Sequence, residues 1–242
     1  MSLNFDPNQN YYFFNKKNSI PIVFIHGVGL DHQMWDYQTN YFNKYSTLTY
    51  DLLGHGKTLC SKDQLSLRDF SNQLLEILDH LKIQKINLIG FSMGSLIALD
   101  FSSHFQKKVE KLILIGTTYK RSDLERALVL DRYNQAKLNK PISKQALKRW
   151  FSEKYLEDNP KTYDLFMNIL NKKPEDHKNF LKAYKLFANH NDDITNIQKI
   201  DRKTLVMTGS DAVSYTHLRA HETREDRVFR RVGVKKRGGG GG

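Results

Sequence analysis

Ile86-Asn87-Leu88-Ile89-Gly90-Phe91-Ser92-Met93-Gly94 runs directly into SLIALDFSSHF at positions 95–105. The apolar run Ile86 to Ile89 reads as a buried strand and Ser95 to Phe105 as a helix. Between them, Gly-x-Ser-x-Gly places Ser92 on a sharp strand-to-helix turn, where flanking glycines allow close backbone approach. Such a turn exposes a hydroxyl beside a helix N-terminus, whose unpaired N–H groups favour developing negative charge. The motif alone is weak. Its strand-before, helix-after context makes Ser92 a candidate nucleophile.

The same alternation continues on both sides. Ile20 to Ile25 is an almost unbroken apolar run ending at His26-Gly27-Val28-Gly29, and Ser46 to Tyr50 is a second strand ending at Asp51. Ser66 and Asp69 open a helix in capping-box style, with Leu67, Phe70, Leu74, Ile77, Leu78 and Leu81 at helical spacing. Lys111 to Ile115 and, much later, Thr204 to Thr208 complete the strand signals. This rhythm predicts an α/β protein with a mostly parallel, doubly wound sheet. From Tyr119 to Asn196 the alternation gives way to helical spacing broken at Pro141, Pro160 and Pro174, which reads as an inserted helical lid. Phe180, Tyr184 and Phe187 read as lid core, while Trp150 and Phe166 are candidates for lining a pocket. The expected organisation is 1–118 core, 119–196 lid, 197–211 return strand and 212–242 tail.

Composition narrows the function classes. No signal peptide or membrane-length apolar run is evident, and Cys60 is the single cysteine, which together point to a cytoplasmic protein without disulfides. The net charge of +12 is partly a tail effect, because residues 213–242 carry eight Lys/Arg against three acids. The remaining lysines scatter over helical segments, so neither nucleic acid nor membrane is expected as a partner. No metal-ligand spacing or phosphate-cradling loop is present, and no cofactor is expected. The expected partner is a small-molecule acyl substrate; the sequence assigns no oligomeric state.

HGVG at 26–29 followed by Trp35, DLLGHGKT at 51–58, GFSMG at 90–94 and TLVMTGSD at 204–211 resemble, in order, the segments of the α/β-hydrolase superfamily. The resemblance implies an oxyanion hole formed by the backbone N–H groups of Val28 and Met93. It also implies cleavage of an ester, thioester or lactone through an acyl-enzyme on Ser92. Serine at 92 argues against a dehalogenase-type aspartate nucleophile. By the same resemblance His26 and His55 are structural; His80 reads as a surface residue, and His104, His177 and His190 carry no motif. A non-catalytic ligand-binding protein, or a perhydrolase or C–C hydrolase of the same fold, remains the alternative.

The family pattern then breaks. It calls for an acid three residues after Gly209, where Ala212 stands, with Asp211 as a substitute acid, and for a histidine near the C-terminus. Val213 to Thr223 (VSYTHLRAHET) instead resembles the in-frame translation of a transposase-based sequencing adapter, and five glycines end the chain. On that reading the gene encodes an aspartate at 212, and His217 and His221 are adapter-coded and not the base. The final strand and C-terminal helix are then missing, the return strand is left as an uncovered edge, and this chain is expected to be nearly inactive.

Overall fold

The computed structural model describes residues 4–118, 121–138, 143–171, 174–190 and 200–208. Six strands form one sheet in the order β1-β3-β2-β4-β5-β6. They are β1 (Tyr12–Asn15), β2 (Ile22–Ile25), β3 (Thr47–Tyr50), β4 (Ile86–Phe91), β5 (Val109–Ile115) and β6 (Lys203–Met207). All neighbouring pairs are parallel except β1–β3, where Tyr12 faces Tyr50 in antiparallel register. The strands expected from the sequence are present with ends moved by one or two residues. The exception is β1, which the sequence reading did not name: YFFN is short, and its Phe13 is 48% exposed, as suits an edge strand.

Two helices cover one face. In α2 (Leu67–His80) the expected capping box forms, Ser66 Oγ accepting from Asp69 N and the Asp69 carboxylate accepting from Ser66 N. Its period-3.6 stripe of Phe70, Leu74, Ile77 and Leu78 is fully buried. α3 (Met93–His104) is apolar nearly all round, because it lies between α2 and the sheet. Val23, Ile25, Leu48, Leu88, Leu112 and Leu114 meet these helices in the main core. The opposite face carries Phe24 and Ile89, covered by Trp35 of a 3-10 turn (His32–Trp35) that leads into α1 (Asp36–Tyr41).

Between β5 and β6 lies a helical insertion: α4 (Asp123–Lys137), α5 (Ser143–Trp150), α6 (Glu153–Asp158), α7 (Pro160–Leu170) and α8 (Pro174–Asn189). Pro160 and Pro174 open helices rather than interrupt them, since a first-turn residue needs no N–H partner. Phe180, Tyr184 and Phe187 are buried in the core, and Trp150 packs edge-on to Phe166 at 6.1 Å. Among the described residues no helix is long and apolar enough to cross a membrane.

Candidate active site

Ser92 sits where β4 ends and α3 begins, with φ 53° and ψ −119°. A positive φ is costly for a residue with a side chain, about 1–3 kcal/mol, and persists only where the surroundings impose it. Here Ser92 N donates to Ile115 O at 2.8 Å, tying the turn to β5. The Ser92 carbonyl accepts from Ser95 N at 2.9 Å and from Ser95 Oγ at 2.5 Å. The two motif glycines are sterically required. A Cβ on Gly94 would come 2.5 Å from the Ile25 and His26 carbonyl oxygens, and one on Gly90 would strike the Gly94 carbonyl. The Ser92 hydroxyl does not cap the helix it precedes.

The HGVG loop is brought against this turn by the β2–β4 pairing, in which Ile25 faces Gly90. A Cβ on Gly27 would lie only 3.3 Å from Ser92 Cβ. Val28 follows directly, and Met93 occupies the first turn of α3, where N–H groups have no intrahelical partner. His26 and His55 are both buried and bond to loops: Leu52 N donates to His26 Nε2, and Gly29 N to His55 Nε2, each at 3.0 Å. α8 closes over these loops. Phe180 meets the His55 ring edge-on, with centroids 5.8 Å apart, and lies against Gly29, and Asn179 O crowds Gly54.

The sequence reading missed one grouping. Asp31, His32 and Asp51 place ligand-capable atoms within 4.8 Å of one another. Asp51, fully buried, accepts from His32 N (2.9 Å), His32 Nδ1 (2.7 Å) and Lys57 N (2.8 Å). Those donors already occupy the Asp51 carboxylate, and Asp31 accepts from Gln33 N at 2.9 Å, so within the trio His32 and Asp51 form an ion pair. Burial alone would raise the Asp51 pKa, but the hydrogen bond and charge of His32, with smaller help from His26 and Lys57, bring it below the ordinary value. Burial would lower the His32 pKa; Asp51, with Asp31, outweighs that and raises it. No local motif marks this pair, because its members are far apart in sequence and meet only through the β2–β3 pairing.

His80 is exposed, His104 bonds its own helix at Asp100 O, and His177 Nε2 lies 2.8 Å from Ala136 O. Gly209, Asp211, Ala212, His217 and His221 fall outside the described residues.

The model of the α/β hydrolase fold family matches residues 20–214. The chain belongs to that family. It is 31% identical over 157 residues to (E)-2-((N-methylformamido)methylene)succinate hydrolase of Acinetobacter baylyi, a stretch covering 64% of this chain and 60% of the relative. It is 27% identical over 152 residues to 3-oxoadipate enol-lactonase 2 of the same organism, covering 62% of this chain and 57% of the relative. The match therefore spans less than two thirds of either relative's length. An enol-lactonase structure from Burkholderia xenovorans superposes with a TM-score of 0.74 over 83% of this chain and 78% of that one. At 22% identity, that likeness speaks to the fold alone.

Proposed function

We propose that the gene encodes a serine hydrolase that cleaves a small ester, thioester or lactone through an acyl-enzyme on Ser92. The carrying observation is the strained Ser92 turn, held at the end of β4 with the HGVG loop packed against it. In the reaction Ser92 Oγ adds to the substrate carbonyl, and its proton passes to a histidine encoded beyond β6. The carbonyl oxygen, now negative, accepts from the Val28 and Met93 N–H groups; a donor of this kind is worth about 2.7–4 kcal/mol in a comparable site. Collapse expels the leaving group, protonated by the same histidine, and water then hydrolyses the acyl-enzyme. The named activities of the two relatives, a hydrolase and an enol-lactonase, support this reaction class. The helices from α4 to α8 act as a lid over the substrate, and the aspartate that orients the base belongs at position 212.

The test uses the gene product read through to its own stop codon, assayed on short acyl esters and an enol-lactone beside its Ser92→Ala variant. A loss of kcat of about 10³-fold or more is expected. Equal rates in both proteins would overturn the proposal and favour a ligand-binding protein of the same fold. The chain of 242 residues itself should turn over no faster than its Ser92→Ala variant, since serine at its free pKa is a weak nucleophile. A Ser92-dependent burst from it would contradict the missing base.

A further inference from the structure

His26 and His55 are 0% and 1% exposed, and their rings lie 5.1 Å apart. Each receives a backbone N–H at Nε2, from Leu52 and Gly29 respectively. A donor must meet a lone pair, so both rings are neutral with the proton on Nδ1. From there His26 donates to Gly27 O at 2.8 Å and His55 to Leu53 O at 3.1 Å. Gly27 O belongs to the same peptide group as the Val28 N–H, and Gly29 N to the group that carries the Val28 carbonyl. The two rings therefore hold the peptide planes on either side of Val28.

We infer that His26 and His55 are positioning residues for the Val28 N–H, and that protonating either at Nε2 releases the loop, giving a pH-sensitive clasp distinct from any triad histidine. The inference rests on the reading of Val28 as an oxyanion donor. In the neutral state, the His26 bond to Gly27 O polarises that peptide and strengthens the Val28 N–H as a donor. In the cation, Nε2–H points at another N–H and the bond becomes a repulsion. Several groups face the clasp. Burial opposes a charge on either ring. The Asp51 carboxylate, which interacts electrostatically with His26, favours one and is shared with His32. Asp31 lies beside that pair, and Lys57 sits over the Tyr11 ring at 4.3 Å. On α8, His177 touches the same Phe180 ring as His55, and Lys182 binds Cys60 O and Asp63. With the rings so close, a charge on one disfavours the second, so a single proton opens the loop.

Hydrogen–deuterium exchange mass spectrometry at low micromolar concentration tests this, with electron-transfer fragmentation to resolve single amides. It is run on this chain and on the full gene product between pH 7.5 and 5. After correction for intrinsic rates, protection of Leu52 and Gly29 should fall together by about tenfold, while interior amides of α2 and α3 keep theirs. The double variant His26→Gln, His55→Gln supplies an acceptor at both positions at every pH and should leave Leu52 and Gly29 protection flat. Flat protection in the unaltered protein, or an unchanged response of Leu52 and Gly29 in the double variant, would overturn the clasp. These readouts need no turnover, so they stand apart from the fate of Ser92. In the full gene product kcat should fall with the same midpoint at constant KM; an opened loop with undiminished kcat would sever the clasp from the oxyanion hole.

Discussion

Asp51 and His32 form a buried pair whose stability follows from the direction of each shift. Asp51, held below its ordinary value, contributes fully above about pH 4, and the contribution is lost as pH falls through its depressed pKa. His32, held above its ordinary value, contributes fully below about pH 6.5, and this is lost as pH rises through its elevated pKa. The pair is therefore strongest between about pH 4 and 6.5. Replacing His32 with Gln removes the charge while the His32 N–H to Asp51 remains. The difference in urea midpoint between the two proteins should peak in that window and shrink by pH 9; a difference that does not vary with pH would show that the pair acts by packing alone. The strand-to-helix turn at Ser92, by contrast, was legible from five residues, because Gly90 must let the Gly94 backbone approach within the turn itself, although the demand on Gly94 comes from the distant Ile25 and His26 carbonyls. The Asp51–His32 pair was not, because nothing in DLLGHG says which loop lies above it.

At the scale of elements, α8 is fastened to the rest of the molecule by contacts from three segments. Arg121 Nη2 donates to Phe187 O at 3.2 Å and His190 O at 3.0 Å, and its guanidinium lies 5.2 Å from the Phe187 ring centre. Lys182 Nζ reaches Cys60 O at 3.1 Å, and the His177 ring meets Ala136 O. Periodicity correctly marked Phe180, Tyr184 and Phe187 as one buried face, since a 3.6-residue stripe is a property of the helix itself. It could not mark Arg121, whose partners are 66 and 69 residues away and are backbone carbonyls of no particular residue type. Hydrogen bonds from a charged donor contribute about 1.5–3 kcal/mol. Arg121→Met keeps the apolar stem but loses those bonds. Exchange at residues 186–190 should accelerate by about tenfold or more while α2 is unaffected, as expected for local rather than global opening. Uniform acceleration throughout the chain would instead make Arg121 a support of the whole core.

For the whole molecule, the two faces of the sheet are unequal. Leu88, Leu112 and Leu114 are sealed beneath α2 and α3. On the other face the registers Phe91↔Ile115↔Met207 and Ile113↔Leu205 align an apolar row. Phe91, Ile113, Ile115 and Leu205 are only half-buried and Met207 is 42% exposed. Among the described residues β6 pairs with β5 alone, and none of them pairs with its other side. A row of apolar side chains beside unpaired N–H and C=O groups favours pairing with a second molecule. We propose, from the adapter-like sequence of 213–223, that the gene encodes other segments there and that those segments cover this face. Burying five such side chains further, at about 1 kcal/mol each, is worth about 5 kcal/mol, or about 10 °C or more in Tm for a domain of this size. The gene product read to its own stop codon should therefore be monomeric by light scattering and melt at least that much higher than the 242-residue chain, which should associate with rising concentration. Equal melting temperatures and a monomeric short chain would mean that the exposed row needs no cover, and that residues beyond β6 serve catalysis without completing the fold.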